Sequence, residues 1–160
     1  MLQEAIELFE KDITANNARP YHRSFWFFLF LRISQHLNFM PARLLCKLIK
    51  RIVLMGTSCE LPASAIVGGG CYIPHFNGIV ISPYARIGAN VKILQQVTIG
   101  VDFDKDPFAA PKVGNGVLLG AGAKIIGDDD LGDDCKVGAN AVVTRDVPVG
   151  KTVIGANNII

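Results

Sequence analysis

From Val113 onward an aliphatic side chain recurs at every sixth position, and this period limits the folds that the chain can adopt. A period of six is the signature of a parallel β-helix, in which each hexapeptide supplies a short strand and a turn. Three hexapeptides form one coil, and the inward aliphatic residues of successive coils stack into one core. The series comprises Val113, Leu119, Ile125, Leu131, Val137, Val143 and Val149.

Two interruptions of the period stand out, because departures from a repeat map to loops or binding faces. The phase shifts by two residues within "IPHFNGIV", which spans Ile73 to Val80 and contains His75. The segment 101–112 carries no hexapeptide and is expected to project as a loop. Asp129 occupies an inward position, which either a local bulge or a polar partner would accommodate. The earlier aliphatic positions are Val67, Ile73 and Ile79 in one phase and Ile81, Ile87, Ile93 and Ile99 in the next.

Residues 1–56 show a helical period instead, which predicts an N-terminal helical segment before a β-helix domain at 57–160. Proline suits the first turn of a helix, and glycine suits its end. The predicted helices are one with Leu2, Ala5, Ile6 and Phe9 on a shared face, one over 23–35, and one that begins near Pro41 and stops at Gly56.

Composition and charge exclude several classes of protein. Half of the residues are apolar and 19% are charged, so a chain of 160 residues can bury a core. Four cysteines without a CxxC pair indicate reduced thiols in the cytoplasm rather than a disulfide framework or a zinc site. The run "FWFFLFL" ends at Arg32 after seven residues, well short of the roughly 20 that cross a bilayer. Acidic residues near Met1 argue against a secretory signal, and no basic stripe with interleaved aromatic residues predicts nucleic-acid binding.

The loop at 101–112 is acidic. Asp102, Asp104 and Asp106 resemble the start of a calcium-binding loop. Pro107 stands where that loop requires glycine, however, and no glutamate closes it. A solvated acidic loop without a metal is therefore expected.

Three motifs resemble the hexapeptide-repeat acyltransferases: "ILQQVTIG", "PKVGNGVLLGAGAKIIG" and "CKVGANAVVTRDVPVG". The resemblance covers about residues 59–153 and is greatest to the serine acetyltransferase-like branch, which includes enzymes that acetylate sugars of capsules and exopolysaccharides. It implies a left-handed β-helix and a homotrimer with active sites between neighbouring subunits. It also implies acetyl-coenzyme A (acetyl-CoA) as the donor and no metal.

The resemblance also assigns roles to individual residues. His75 falls on the family's catalytic histidine, a residue type that can accept a hydroxyl proton near neutral pH and return it to a leaving thiolate. Glu60 stands fifteen residues earlier, where the family has a carboxylate that orients the imidazole. Contacts to coenzyme A fall on Ala121, Lys136 and Ala139. A histidine held in a loop, an exposed glutamate and a solvated lysine are the structural alternatives.

Departures from the family concern the acceptor. Serine acetyltransferases have an aspartate before the histidine and an Arg-His pair in the loop, whereas this chain has Pro74, Ala109 and Ala110 there. A zwitterionic amino acid would lose both counter-charges, and an unpaired buried charge is costly. A neutral sugar needs neither charge, and Phe76 offers a stacking face and Asn77 an amide, although Phe76 can equally be a packing residue.

These residues predict an acetyl-CoA-dependent O-acetyltransferase that acts on a saccharide in capsule, exopolysaccharide or O-antigen biosynthesis. Three alternatives stay open: a serine O-acetyltransferase of cysteine biosynthesis with an atypical acceptor pocket, an N-acetyltransferase of an amino sugar, and a non-enzymatic trimeric scaffold. A zinc-dependent carbonic anhydrase on this fold would need three histidine ligands, but His22 and His36 belong to the helical segment.

The helical segment is rich in basic residues beside the run "FWFFLFL", a combination that is compatible with a peripheral contact of the trimer with the cytoplasmic membrane. Packing of the helices on the trimer is the alternative. The basic residues are Arg19, Arg23, Arg32, Arg43, Lys47, Lys50 and Arg51.

Overall fold

The computed structural model describes residues 2–36, 39–55 and 57–160, and within these ranges three helices precede thirteen short strands. The helices are α1 (Leu2–Ala15), α2 (Arg23–His36) and α3 (Met40–Val53), with Pro41 in the first turn of α3. Gly56, the predicted end of the third helix, lies outside the described residues. The strands are β1 (Ile66–Val67), β2 (Val80–Ile81), β3 (Arg86–Ile87), β4 (Lys92–Ile93), β5 (Thr98–Gly100), β6 (Lys112–Val113), β7 (Leu118–Leu119), β8 (Lys124–Ile126), β9 (Asp130–Leu131), β10 (Lys136–Val137), β11 (Val142–Val143), β12 (Thr152–Ile154) and β13 (Asn158–Ile159).

The strands form three sheets that are the three faces of a β-helix. The sheet orders are β1-β3-β6-β9, β2-β5-β8-β11 and β4-β7-β10-β12-β13. All pairs are parallel except β12 with β13, which is antiparallel. Each strand contributes one inward and one outward side chain, so a hexapeptide buries its aliphatic residue in the shared core. The predicted left-handed parallel β-helix preceded by helices is confirmed.

The register shows where the repeat is regular and where it is not. Val113 pairs with Leu131, which stands three hexapeptides later in the chain. Val67 pairs with Ile87, and this coil is longer than three hexapeptides by two residues, which fall within Ile73 to Val80. The coil from Ile99 to its partner Ile125 is longer by eight residues, because the loop between β5 and β6 interrupts it. The phase shift in the sequence is therefore a real lengthening of the first coil.

The inward assignment of Val149 was wrong. This side chain is 69% exposed, whereas Val147 is buried. Leu131 pairs with Val147, so the coil that ends there is two residues shorter than three hexapeptides. The shortening moves Val147 into the inward position and turns Val149 outward.

Asp129 does not enter the core. It is half-buried, and the backbone just before it turns through Gly127 with φ of 120°. Within the described residues, no hydrogen bond is made by its side chain. Burial raises the pKa of Asp129, and the nearby Asp146 adds to the rise. A local distortion of the coil therefore accommodates this carboxyl group.

A buried ion pair joins the helices to the first coil of the β-helix. Arg32 donates from Nε to Oδ2 of Asp12 at 2.8 Å, and the two side chains are 1% and 0% exposed. The other carboxylate oxygen of Asp12 accepts from the backbone N–H groups of Gly70 at 2.9 Å and Cys71 at 3.1 Å. Arg32 also donates to the carbonyl oxygens of Val67 and Gly68, at 2.6 and 2.8 Å. The pair thus satisfies backbone groups that no earlier coil can reach.

Three more side chains of the helices complete this polar cap, which we define as Asp12, Asn16, Arg32, Gln35 and Lys50. Asn16 donates to the carbonyl oxygen of Cys71 and accepts from the N–H of Ile73, at 2.7 and 2.8 Å. Gln35 donates to Ala65 O at 2.9 Å, and Lys50 to Leu61 O at 2.5 Å. Beside the polar cap, buried apolar side chains of α2 close the end of the core: Phe27, Phe28 and Leu31.

The polar cap removes two basic residues from the membrane hypothesis, which stays a prediction for the others. Arg32 and Lys50, predicted to face lipid headgroups, are buried and bind backbone carbonyls. The run "FWFFLFL" also supplies core residues rather than an open apolar face. Arg43 has a side chain outside the described part of the structure. None of the described helices is both long and apolar enough to span a membrane.

The four cysteines are free thiols. Cys71 and Cys135 are buried in the core, and burial raises the pKa of Cys71 to about 12 and that of Cys135 to about 11. These two thiols therefore stay protonated and act as small apolar residues.

Removal of the Asp12 carboxylate is expected to destabilise the fold strongly. Asp12→Ala leaves the Arg32 charge buried without its partner, so the free energy of unfolding should fall by about 3–5 kcal/mol in urea or guanidinium titration. Asp130→Ala is the matched control, because Asp130 pairs with Lys112 at the surface. Its loss should cost less than about 1 kcal/mol. Equal effects of the two substitutions would contradict a structural role for the buried pair.

Lys50 should make stability depend on pH. Burial lowers the pKa of Lys50 to about 8, and the nearby Lys47 adds to this effect. Between pH 8 and the ordinary value of 10.5, the unfolded chain holds a proton that the folded chain has released. The contribution of Lys50 to the free energy of unfolding should therefore rise with pH in this window, by about 1 kcal/mol per pH unit at most. Above pH 9 the raised pKa values of Cys71 and Cys135 act in the opposite direction, so the contribution of Lys50 has to be read as a difference between variants.

The free energy of unfolding of wild-type protein minus that of Lys50→Met should rise with pH, whereas Lys47→Met, which changes an exposed lysine of the same helix, should follow the wild-type protein. Urea unfolding at pH 7, 8, 9 and 10 measures this difference. An identical pH dependence in Lys50→Met would show that other groups cause the rise.

Candidate active site

His75 lies on the lengthened part of the first coil, between Ile73 and β2. The two extra residues push this segment outward, and the His75 side chain is exposed. The segment is held in place by its backbone, because Asn77 N donates to His75 O at 3.0 Å and Gly78 N donates to Thr57 O at 2.8 Å. The imidazole therefore stands on a fixed turn with access to solvent.

The same corner of the following coils lies beneath the turn that carries His75. Asn77 O accepts from Gln96 N at 2.8 Å, and Gln95 O accepts from Gly122 N at 2.9 Å. Ala121 O accepts in turn from Asn140 N at 2.8 Å. We define the corner column as His75, Gln95, Ala121 and Ala139, one residue from each of four successive coils. Asn77 is the residue directly above Gln95, and His75 stands two residues before it in the same turn. At about 4.8 Å per coil, Ala121 lies about 10 Å and Ala139 about 14 Å along the axis from His75.

Small residues keep the lower part of the corner column narrow. Gly122 has φ of 74°, and a Cβ there would lie 2.1 Å from Oδ1 of Asn140. Ala121 and Ala139 project only a methyl group. Lys136 is exposed on β10, three residues before Ala139. A long flexible ligand can therefore lie along this edge, with a cation beside it.

A cleft of about 830 Å³ opens beside His75, between the first coil and the helical segment. We call it the His75 cleft. Pro74, Phe76 and Asn77 line it from the coil, and Gln95 lines it from the next coil. Its opposite wall is the segment 21–24, which includes the first two residues of α2. A small molecule bound here would have its reacting atoms near the imidazole.

Comparisons with known proteins agree with this architecture. Residues 110–145 match the family model described as bacterial transferase hexapeptide (six repeats). Serine acetyltransferase of Helicobacter pylori is 42% identical over 100 residues, which are 62% of this chain and 58% of the relative. That of Mycobacterium tuberculosis is 36% identical over 114 residues, 71% of this chain and 50% of the relative. The structure of soybean serine acetyltransferase complexed with serine superimposes with a TM-score of 0.82 at 28% identity, covering 99% of this chain and 70% of that one.

The chain carries the repeat of this family over residues 110–145 and is similar to serine acetyltransferases over most of its length. Its matches lie in the serine acetyltransferase branch, as the sequence motifs predict. The chain spans 58% and 50% of the length of the two bacterial relatives.

Glu60 stands beside β2 rather than in the His75 cleft. Its backbone pairs with Val80, since Glu60 N donates to Ile79 O at 2.7 Å and Ile81 N donates to Glu60 O at 2.8 Å. The Glu60 side chain is exposed, and no ion pair joins it to His75 in the described part of the chain. The predicted orienting role of Glu60 stays a prediction.

Ala109 and Ala110 lie away from the His75 cleft within one chain. They line a second, smaller cleft of about 360 Å³ with Tyr84 and Asp128, just before β6. Phe108 packs edge-on against Tyr84 at 5.6 Å between ring centroids, which fixes the end of the loop. A single subunit therefore does not bring these alanines to the imidazole.

The acidic loop is held by local contacts. Asp104 N donates to Oδ1 of Asp102 and Phe108 N donates to Oδ1 of Asp106, at 3.1 and 2.8 Å. Lys105 pairs with Asp102 at 3.6 Å. In the ranges that the structure describes, no three His, Cys, Asp or Glu side chains are grouped to hold a metal ion.

Sequence reasoning missed the wall of the His75 cleft that comes from the helical segment. Tyr21, His22, Arg23 and Ser24 line it, although they lie far from His75 in the sequence. No motif marks them, because the contact depends on how α2 docks. Gln95 was also missed, although it follows Asn77 by three hexapeptides, the spacing that separates Val80 from its partner Thr98. Counting three hexapeptides forward from Asn77 would have found it.

Phe76 is expected to contribute to stability, because its ring packs on Phe27 with centroids 4.9 Å apart and near Phe28 at 6.4 Å. Phe76→Ala should lower the free energy of unfolding by about 2–3 kcal/mol, measured by denaturant titration. Phe103→Ala is the control, since Phe103 is exposed in the loop and should change stability by less than about 0.5 kcal/mol. An unchanged stability in Phe76→Ala would favour the sugar-stacking role instead.

Proposed function

We propose that this chain is an acetyl-CoA-dependent O-acetyltransferase with His75 as the general base and serine as its acceptor. The observation that carries the proposal is the position of His75, at the meeting point of the corner column and the His75 cleft. The column suits an extended donor, and the cleft suits a small acceptor. The comparisons support transfer to serine more than transfer to a saccharide, because the similar curated proteins and structures are serine acetyltransferases.

In the proposed reaction, the acceptor hydroxyl donates its proton to the imidazole of His75 while its oxygen attacks the thioester carbonyl carbon. Backbone N–H groups stabilise the oxyanion of the tetrahedral intermediate. Collapse of the intermediate breaks the carbon–sulfur bond, and the leaving thiolate takes the proton from the imidazolium. The products are the acetyl ester and free coenzyme A.

The donor is proposed to bind along the corner column. The pantetheine arm would lie against Ala121 and Ala139, where a methyl group leaves room for a ligand next to the backbone. The ammonium of Lys136 would meet a phosphate. Glu60 would orient the imidazole only if its side chain turns towards the cleft.

A trimer is part of the proposal. Because Ala109 and Ala110 lie apart from the His75 cleft in one chain, a neighbouring subunit would have to supply this loop to complete the site. A cytoplasmic location fits the free thiols. Membrane contact is not part of the proposal, since two of the seven basic residues that suggested it belong to the polar cap.

Transfer to a saccharide is the second candidate. It is favoured by the lining of the His75 cleft, where Pro74 and Asn77 offer no carboxylate to pair with an ammonium group. Acetylation of an amino sugar would use the same base.

His75→Gln should abolish turnover while leaving the fold intact. Loss of the base should lower kcat by at least about a hundredfold, measured as thiol release from acetyl-CoA with serine and with a panel of sugars and nucleotide sugars. His36→Gln is the matched control, because His36 lies at the end of α2, away from the cleft. Its turnover should equal that of the wild-type protein.

The acceptor panel separates the two candidates. Turnover with serine alone supports the main proposal, and turnover with a sugar alone overturns it in favour of the second candidate. Absence of both turnover and coenzyme A binding would leave a non-enzymatic scaffold.

A further inference from the structure

Arg23 presents a cation to the cleft that contains the candidate base. It is the first residue of α2 and lines the His75 cleft from the side opposite to the coil. No sequence motif connects Arg23 with His75, which lies much later in the chain. Their common cleft is a product of the way α2 docks on the first coil.

Helix geometry explains why Arg23 faces this way. Residues four apart lie on one face of a helix, so Arg23 shares a face with Phe27, one turn later. The ring of Phe27 packs on that of Phe76, the neighbour of His75, at 4.9 Å. The face of α2 that contacts the lengthened coil thus carries Arg23 at its open end.

The backbone that carries Arg23 is anchored on both sides. Trp26 Nε1 donates to Pro20 O at 2.7 Å, and His22 N donates to Arg19 O at 2.8 Å, which holds the turn before α2. Asn16 binds backbone groups of Cys71 and Ile73, two residues before His75. The distance between the two walls of the cleft is therefore set by the fold.

The described side chains that line the His75 cleft and can carry a charge near neutral pH are basic rather than acidic. Its lining contains the cation Arg23 and the imidazoles of His22 and His75, but no aspartate or glutamate among the described residues. No ion pair involving Arg23 is present in that part of the chain either. A guanidinium offers paired N–H donors that match a carboxylate or a phosphate. The cleft therefore suits an anionic molecule better than a neutral or cationic one.

We propose that Arg23 determines acceptor specificity by binding a carboxylate or phosphate of the acceptor while the acceptor hydroxyl lies at His75. This inference rests on the proposed function and deepens it. For serine, Arg23 would bind the carboxylate, and the ammonium would meet only neutral oxygen atoms such as those of Asn77. The cleft should then also accept hydroxy acids that have no ammonium group.

The experiment compares acids with their amides, which lack the carboxylate charge and are otherwise alike. Serine with serinamide and glycerate with glyceramide are tested as acceptors of wild-type protein, Arg23→Met and Arg19→Met, by thiol release from acetyl-CoA. Glucose 6-phosphate with glucose forms a third pair, which distinguishes a phosphate from a carboxylate. Arg19 is the matched control, since it is a nearby arginine, four residues earlier, that does not line the cleft.

In wild-type protein, the member with the carboxylate or phosphate in at least one pair should have a kcat/KM at least about tenfold above that of the member without it. Arg23→Met should abolish this preference through KM, with kcat changed little, and Arg19→Met should retain it. The proposal is overturned if wild-type protein does not distinguish acids from amides. Persistence of the preference in Arg23→Met, or its equal loss in Arg19→Met, also overturns it.

Equilibrium binding keeps this inference separate from the proposed function. Titration of the same pairs, followed by protein NMR, measures the affinity of the cleft without turnover. If the acid binds to wild-type protein and His75→Gln but not to Arg23→Met, the anion site is supported. This holds even if no acceptor is acetylated, because absence of acetylation would overturn only the proposed function. Turnover that depends on His75 but not on Arg23 would overturn this inference alone. If wild-type protein binds no acid in preference to its amide, the anion site does not exist.

Discussion

The Asp12–Arg32 pair solves a problem that every parallel β-helix has at its first coil, where the backbone groups have no earlier strand to pair with. Asp12 accepts the N–H groups of Gly70 and Cys71, and Arg32 binds two carbonyl oxygens, so the pair replaces a missing coil at one edge. Burial raises the pKa of Asp12, whereas its hydrogen bonds to Arg32, Cys71 and Gly70 oppose the rise. Such a pair is costly to break, because either partner would remain buried and charged.

The same docking creates the candidate site. Once the polar cap fixes α1 and α2 on the first coil, the two extra residues beside His75 have to bulge towards α2, and Phe76 meets Phe27. The cleft is the space left between this bulge and the start of α2. Stability and the geometry of the candidate site therefore depend on one interface.

The fold was predictable because the period of six appears in every coil, and a core that repeats must be encoded repeatedly. Val149 shows where the period fails as a predictor. A coil shortened by two residues keeps aliphatic residues at the same sequence positions, but Val147 instead of Val149 then points inward. His75 was predicted from the phase shift together with the family resemblance, and Ala121 and Ala139 from the resemblance alone, and their roles stay predictions. Asp12, Arg32 and Arg23 could not be found, because their partners are backbone atoms or a space between elements, which leave no pattern in the sequence.

The residues of the corner column are spaced regularly along the axis of the β-helix. Each coil adds about 4.8 Å, so the separation between His75 and any contact farther down is a whole number of coils. Insertion or deletion of a complete coil of three hexapeptides between Gln95 and Ala121 would move Ala121 and Ala139 by one coil along the axis. The His75 cleft would keep its shape. Donor length and acceptor shape can therefore change independently in a molecule of this construction, one by the number of coils and the other by the docking of the helices.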